Sequence, residues 1–217
     1  MEQEILKPWQ KKAIDFIFSK NELSNFYLTG GTALAGYYLY HRISDDLDFF
    51  SFSDFDPISI HALAEELRKI IGVGQVRFSK LYDRSQFFYS AIDGEERKVE
   101  FTKYPFKQVE KIGVLDNARI DSEFDIAVNK LLTITDRFDP KDFVDLYFLL
   151  PKYPLNKLRE GVAIKFNTKL DPLTIGSSFA KVRNIETLPR MIKSLTVEDL
   201  KQFFNFEATK LSPMVIE

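Results

Sequence analysis

The segment from Leu28 to Phe50, LTGGTALAGYYLYHRISDDLDFF, constrains this chain more than any other stretch. Two adjacent glycines, Gly30 and Gly31, interrupt an apolar run and allow the backbone to turn tightly. Near its end, Asp46 and Asp48 alternate with hydrophobic residues. In an extended strand, residues two apart point to the same face, so the two carboxylates project together while their neighbours enter a core. Such a pair provides oxygen ligands for a divalent cation.

The residues around the glycines predict a strand, a turn, a helix and a second strand. Asn25 to Thr29 is short and apolar, as expected of a buried strand. Thr32 to Tyr40 contains helix-forming and small residues, and the second strand carries the two carboxylates. A helix that begins directly after glycines presents free backbone N–H groups, which favours phosphate binding at the turn.

The following residues predict a mixed sheet with helices. An amphipathic helix is expected from Ile58 to Ile71. Alternating patterns then predict strands over Val73 to Leu81, Gln86 to Ile92 and Arg97 to Lys103, the last two joined by the hairpin signal Asp93-Gly94.

Glu100 is the third candidate carboxylate. In its strand Lys98 and Glu100 alternate with Val99 and Phe101, which puts Glu100 on the polar face. We expect this strand to lie beside the one that carries Asp46 and Asp48. Taken without the upstream motif, an ordinary exposed strand glutamate fits the pattern equally well.

After Tyr104-Pro105 the pattern changes from strands to helices. A short extended piece is expected around Val114, followed by helices over Ser122 to Asp136 and Lys141 to Leu150 and by helical segments from Asn156, Leu173 and Thr196. The sequence therefore predicts two domains, residues 1–115 with the sheet and residues 116–217 as a helical bundle.

Charge is distributed unevenly along the chain. The net charge is −2, yet nine basic residues face three acidic ones between Lys152 and Lys193. Solvated helix faces and a phosphate-contacting surface for RNA are both consistent with this excess. Cysteine is absent, the opening MEQEILKPWQKK lacks the apolar core of a signal peptide, and no apolar run is long enough for a membrane span. We expect a cytoplasmic protein with no membrane association.

The ordered combination of the Gly-Gly-Thr turn, Arg42, Ser44, Asp46, Asp48 and the Phe49-Phe50 pair closely resembles the signature of the polymerase-beta-like nucleotidyltransferase superfamily. Within it, the stretch is most similar to the abortive-infection nucleotidyltransferase toxins of the AbiEii/AbiGii type. The resemblance implies an α+β fold, a mixed sheet flanked by helices, followed by a C-terminal helical bundle domain.

The resemblance also implies roles for individual residues. Asp46, Asp48 and Glu100 would hold Mg²⁺ or Mn²⁺, with Glu100 also able to act as general base toward the incoming hydroxyl. The nucleotide-binding residues would be Gly30, Gly31, Thr32 and Lys130.

Four further residues are predicted to support this site. Asp142 and Asp145 lie three apart on one helix face, where they could orient Lys130 or Arg137; ordinary helix-surface charges fit equally well outside the family context. Arg42 could pair with Asp46, contact phosphate or form a structural salt bridge, and Ser44 belongs to the signature itself.

The predicted activity is transfer of a nucleotide from a nucleoside triphosphate to an acceptor by a metal-dependent enzyme. The family implies an RNA acceptor, tRNA among them, in a toxin–antitoxin or phage abortive-infection role, with a cognate antitoxin as partner. Two alternatives stay open: a protein or small-molecule acceptor, and a catalytically inactive binding module of the same fold. The oligomeric state is left open by the sequence.

Overall fold

The computed structural model describes residues 5–91 and 94–211. The end of the predicted strand at Ile92 and the Asp93 half of the predicted turn lie outside these residues. Contacts divide the chain into two compact units. Unit 1 consists of Met1–Tyr38, Ser44–Phe106 and Ile112–Asp121, and unit 2 of Leu39–Ile43, Lys107–Lys111 and Ser122–Glu217.

Unit 1 contains a seven-stranded mixed sheet. The strands are β1 (Phe26–Thr29), β2 (Leu47–Ser51), β3 (Gln75–Leu81), β4 (Arg84–Ser90), β5 (Glu96–Lys103), β6 (Gly113–Leu115) and β7 (Ala118–Ile120). Their order across the sheet is β3-β4-β5-β2-β1-β7-β6. Strand β2 runs antiparallel to β1 and parallel to β5, so the strand with the two aspartates lies at the centre.

Three helices accompany the sheet: α1 (Pro8–Ser19), α2 (Gly30–Ala33) and α3 (Pro57–Ile70). Asp56 caps α3, because its carboxylate accepts hydrogen bonds from the backbone N–H groups of Ile58 and Ser59 at 3.1 Å. The helix expected from Thr32 to Tyr40 differs in type: after the four residues of α2 the chain continues as a π-helix over Leu34–Leu39. Such π segments often lie at functional sites.

Alternation along the central strands separates a core face from a polar face. Leu47 and Phe49 of β2 and Val99 and Phe101 of β5 are almost completely buried. The rings of Phe49 and Phe101 stack with centroids 5.5 Å apart. The carboxylates of the same two strands consequently project from the opposite face.

The β6–β7 hairpin is the part of the sheet that the sequence did not predict in full. Only a short extended piece around Val114 was expected, with the domain boundary at residue 115. Asp116 and Asn117 turn the chain with φ values of +48° and +64°, and β7 then pairs in parallel with β1 through Leu28 and Ile120. Three-residue strands are too short to show alternation in the sequence, which is why the hairpin was not predicted in full. Because the hairpin belongs to the sheet, unit 1 continues to Asp121, six residues beyond the predicted boundary.

Unit 2 is a helical bundle, as predicted. Its helices are α4 (Glu123–Asp136), α5 (Pro140–Leu149), α6 (Leu155–Phe166), α7 (Pro172–Ala180) and α8 (Val197–Thr209). Pro140 and Pro172 occupy first-turn positions, where a missing N–H costs nothing. Helix α4 contacts α5, α6 and α7, and the rings of Phe143, Phe179 and Phe204 pack at the centre of the bundle.

Two short segments from earlier in the sequence also belong to unit 2. Arg42 forms an antiparallel backbone bridge with Met191. The N–H groups of Val109 and Glu110 donate to the Asp125 carboxylate at 3.0 and 2.8 Å, and Lys165 pairs with the same carboxylate at 2.8 Å. These long-range contacts explain why a single cut in the sequence does not separate the two units.

Within residues 5–91 and 94–211, no helix combines the length and apolar character needed to cross a membrane.

Candidate active site

The glycine turn lies directly against Asp48. Thr29, the last residue of β1, pairs with Asp48 of β2, and Gly30 follows with φ +72°. A Cβ atom at position 30 would stand 2.6 Å from the Oδ2 atom of Asp48. Both the left-handed backbone and the close approach of the carboxylate therefore require glycine here.

Thr32 fixes the loop that leads into β2. Its side chain is buried, and its hydroxyl donates a hydrogen bond to the backbone carbonyl of Asp46. The sequence assigned this hydroxyl to the triphosphate. In the structure this hydroxyl bonds to the backbone of Asp46 and thereby connects the glycine turn to the segment before β2. Thr32 therefore helps to position Asp46.

Asp46, Asp48 and Glu100, which we call the acidic face, come together through strand register. Asp48 pairs directly with Glu100 across the parallel strands β2 and β5, and Leu47 pairs with Val99. Continuing this register by one residue sets Asp46 opposite Lys98. All three carboxylates therefore lie on the polar face of the central strands, within unit 1. Asp46 and Asp48 are half-buried, whereas Glu100 is only 3% exposed.

Glu100 is held by neighbours on its own strand and on β4. The Gln86 amide donates to it at 2.8 Å, the Thr102 hydroxyl at 2.9 Å, and the Lys98 ammonium lies 2.9 Å from Oε2. The Arg84 guanidinium lies farther out, at 3.6 Å. Burial by itself would raise the pKa of Glu100, but the hydrogen bonds from Gln86 and Lys98 outweigh it and hold this pKa below its ordinary value. Glu100 is thus a carboxylate at neutral pH.

Lys98 is the site residue that the sequence reasoning did not assign. Burial would lower the pKa of Lys98, yet the charges of Asp48 and Asp46 and the contact with Glu100 raise it. A positive charge therefore lies against Glu100 and interacts with the charges of both aspartates. Its spacing of two from Glu100 was visible in the sequence, but its approach to Asp46 and Asp48 depends on the pairing of β5 with β2.

The acidic face fits a hard divalent cation in its donor chemistry. Its oxygens are the ligand type that Mg²⁺ and Mn²⁺ prefer, and Asp48 and Glu100 are register neighbours. Among the described residues, no three His, Cys, Asp or Glu side chains are grouped closely enough to hold a metal ion as they stand. Lys98 is the cationic group within 3 Å of Glu100 among the described residues.

Two neighbours of Asp46 in sequence contact other groups of unit 1. Asp45, which precedes Asp46 directly, pairs with Lys7 at 3.0 Å. The backbone carbonyl of Ser44 accepts a hydrogen bond from the Gln10 side chain at 2.9 Å. Helix α1 thereby anchors the segment that leads into the acidic face.

Arg42 lies in unit 2 and pairs with Asp145. Its Nε and Nη2 atoms donate to the two carboxylate oxygens at 2.7 and 2.9 Å, and Nη1 donates to the backbone carbonyl of Ile43. The side chain is 1% exposed. Pairing with Asp46 and contact with phosphate, two roles considered from the sequence, are therefore corrected. Arg42 forms a bidentate structural salt bridge, with a partner more than 100 positions away in the chain.

Lys130 belongs to the same buried group. Its ammonium lies 2.6 Å from both Asp142 and Asp145, and Arg137 also contacts Asp142 at 3.0 Å. Arg42, Lys130, Asp142 and Asp145 together form what we call the ion cluster. Burial would raise the pKa of Asp145, but Lys130 and Arg42 hold it well below the usual range. For Lys130, burial alone would lower the pKa, but the charges of Asp145 and Asp142 outweigh burial and raise it above its ordinary value.

His41 completes the surroundings of Asp145. It is fully buried, and its Nε2 atom lies 2.8 Å from an Asp145 oxygen. Burial is the largest influence and lowers the pKa of His41 despite this carboxylate. A neutral imidazole therefore donates to Asp145.

The family model described as the AbiEii nucleotidyl transferase toxin of type IV toxin–antitoxin systems matches residues 18–212. An uncharacterised protein of Aquifex aeolicus is 35% identical over 171 residues, which cover 74% of this chain and 76% of that protein.

Two solved structures from Helicobacter pylori share the fold. The protein JHP933 superposes with a TM-score of 0.59 at 21% identity, covering 94% of this chain and 90% of its own. A second protein, described as a candidate nucleotidyltransferase, gives a TM-score of 0.60 at 20% identity and covers 94% and 93%.

Proposed function

The chain belongs to the AbiEii nucleotidyl transferase toxin family, and from this premise we propose that it transfers a nucleotide from a nucleoside triphosphate to RNA at the acidic face, with a divalent cation. Family membership establishes the enzyme as a nucleotidyltransferase of a toxin–antitoxin system and confirms the predicted α+β fold. The pairing of Asp48 with Glu100 beside the glycine turn is the observation that supports the site.

The carboxylates of the acidic face are the proposed cation ligands. A Mg²⁺ or Mn²⁺ ion held by Asp46, Asp48 and Glu100 would supply charge neutralisation at the phosphates when bound. The family resemblance also allows Glu100 to act as general base toward the incoming hydroxyl.

The glycine turn is the proposed contact for the triphosphate. Gly30 opens α2 directly beside Asp48, and its lack of a side chain lets the Asp48 carboxylate approach the backbone of the turn. Backbone N–H groups at Gly30 and Gly31 suit phosphate oxygens, and Thr32 holds the loop beneath them. Lys130 is assigned a phosphate contact by the family resemblance, with Asp142 and Asp145 orienting its ammonium.

RNA is the proposed acceptor, and basic side chains of unit 2 support it. Of the nine basic residues between Lys152 and Lys193, Lys165 is buried against Asp125 and Lys152 pairs with Glu123. Exposed members of the set are Lys157, Lys169, Arg183, Arg190 and Lys193. Such side chains suit phosphate contacts along a nucleic-acid backbone. The type IV toxin–antitoxin description of the family supports a cognate antitoxin as partner.

Incubation with Mg²⁺, an RNA pool and each labelled nucleoside triphosphate tests this proposal. The wild type should label RNA, and the Asp46→Ala, Asp48→Ala double variant should not. Asp45→Ala is the matched control, because it removes the adjacent carboxylate that pairs with Lys7, and it should keep its activity. Undiminished labelling by the double variant would contradict the proposed site.

The same experiment separates the alternatives. Label recovered in a small molecule or in protein, identified by mass spectrometry, would replace RNA as the acceptor while keeping the donor site. Calorimetry that detected neither nucleoside triphosphate nor Mg²⁺ binding would point to an inactive binding module.

A further inference from the structure

We propose that Lys98 is an internal counter-ion of the acidic face, which competes with the divalent cation for Glu100 and thereby sets the cation concentration at which the site fills. The proposal rests on the proposed function, because it takes the acidic face as the cation site. It adds a positioning residue that lies outside the sequence motif.

Strand geometry directs Lys98 toward the carboxylates. Residues 98 and 100 of β5 share one face, and the Lys98 ammonium lies 2.9 Å from Oε2 of Glu100. Because Leu47 pairs with Val99, the next positions along the parallel strands set Asp46 beside Lys98. The Lys98 side chain is 22% exposed, so it is partly accessible to solvent.

Both oxygens of Glu100 already accept from other groups. Oε1 accepts from the Thr102 hydroxyl at 2.9 Å, and Oε2 accepts from the Gln86 amide at 2.8 Å in addition to Lys98. With 3% of the side chain exposed, Glu100 has little room for a further ligand. Because Oε2 already accepts from two donors, a cation can bind this oxygen only if one of them withdraws.

Lys98 is the donor that a cation would displace. Gln86 and Thr102 are neutral, so a cation at Glu100 does not repel them strongly, whereas an ammonium within 3 Å of the same oxygen carries like charge. Lysine also has a flexible four-carbon stem that can swing its charge into water. Binding of the cation therefore includes the cost of separating Lys98 from Glu100, and the cation affinity falls accordingly.

Titration of the purified full chain with Mn²⁺, without nucleotide and followed by calorimetry, tests the competition. We expect Lys98→Met to bind Mn²⁺ about tenfold more tightly than the wild type, because the competing charge is gone. Arg84→Met is the matched control: it removes a like charge that lies 3.6 Å from Glu100 and is half exposed, and its effect should be much smaller. Lys98→Arg should stay close to the wild type.

A double-mutant cycle shows whether the effect acts through Glu100. In a Glu100→Gln background, Lys98→Met should give little further gain in Mn²⁺ affinity, because the competed oxygen no longer carries charge. Unchanged or weaker Mn²⁺ binding by Lys98→Met, or an equal gain in both backgrounds, would overturn the proposal.

The same titrations judge the proposed site separately. Asp48→Asn should lose Mn²⁺ affinity if the acidic face is the cation site. Equal binding by Asp48→Asn and the wild type would reject the site, and the role of Lys98 with it. Loss of binding in Asp48→Asn with no gain in Lys98→Met would reject only the competition.

Discussion

The acidic face of unit 1 and the ion cluster of unit 2 both combine carboxylates with basic side chains, but they differ in the ratio of negative to positive charges. In the ion cluster, each aspartate is at most 1% exposed and contacts two or more positive groups. The acidic face gathers three carboxylates around Lys98 and leaves Asp46 and Asp48 half-buried. Buried charges that are balanced by opposite charges are typical of a structural role. A partly exposed cluster with more carboxylates than cations instead favours binding of an exchangeable cation.

Replacing Asp145 should give the largest loss of stability. Asp145→Asn leaves the buried charges of Arg42 and Lys130 without their shared carboxylate, and we expect the free energy of unfolding to fall by about 3–5 kcal/mol. Urea denaturation measures it. The matched change in the acidic face, Asp48→Asn, removes one charge of a partly exposed group that has both like and opposite charges nearby, and it should cost less than about 0.5 kcal/mol. Equal losses in the two variants would erase the distinction between the regions.

Lys130 has two proposed roles. It lies in the ion cluster, and the family resemblance also assigns it a contact with the triphosphate. We expect Lys130→Met to lower the free energy of unfolding by about 2 kcal/mol, less than Asp145→Asn, since Arg42 and Arg137 still contact the aspartates. Its affinity for nucleoside triphosphate, measured by calorimetry on the folded protein, should also fall. Wild-type affinity would leave Lys130 with a structural role alone.

Gly30→Ala tests the glycine turn of the acidic face. The positive φ and the 2.6 Å approach to Asp48 should together cost about 1–2 kcal/mol and displace the carboxylate. Gly72→Ala is a matched control, since Gly72 also has positive φ but a Cβ added there would meet no atom within 4 Å. Both variants should lose stability, and only Gly30→Ala should also lose nucleotide transfer. Full transfer by Gly30→Ala would show that the approach to Asp48 is not required.

His41 gives the ion cluster a dependence on pH. Its pKa is lower in the folded than in the unfolded protein, so the unfolded state binds more protons as the pH falls through about 6.5. The free energy of unfolding should therefore decrease on acidification from pH 7, with a slope from this one group of at most about 1.4 kcal/mol per pH unit. The charged groups near His41 are Asp145, Arg42 and Lys130. Because the pKa of Asp145 is lowered, Asp145 stays ionised between pH 7 and pH 5.

Urea denaturation at pH 7, 6 and 5 measures the slope. His41→Gln should flatten it, and His61→Gln, which removes the other histidine, should leave it as in the wild type. An identical slope in His41→Gln would contradict the assignment.

Local sequence was enough to predict much of the fold and the relative placement of the candidate carboxylates Asp48 and Glu100. The segment from Leu28 to Phe50 contains its own turn, strand alternation and carboxylate spacing, and the alternation around Glu100 correctly put that residue on the polar face beside Asp48. These features depend on neighbours a few positions apart. The same is true of the helices of unit 2, most of which begin at a capping residue or at proline.

Long-range partners could not be predicted in this way. The salt bridge from Arg42 to Asp145 joins residues 103 positions apart, and local spacing could suggest a structural salt bridge without identifying this partner. Lys98 was visible two residues before Glu100, but its approach to Asp46 and Asp48 follows from the register of two strands that are distant in sequence. The hairpin of β6 and β7 was incomplete in the prediction because its strands are too short to show alternation.

The rate of nucleotide transfer to RNA by Asp48→Asn, measured beside Asp45→Asn at matched folded fraction, tests the central claim most directly. Because Asp48 is a proposed cation ligand, its loss should slow transfer by at least about a thousandfold while the free energy of unfolding falls far less than in Asp145→Asn. Asp45→Asn should transfer at close to the wild-type rate. Transfer by Asp48→Asn within a few-fold of the wild type would contradict the assignment of the acidic face as the catalytic site.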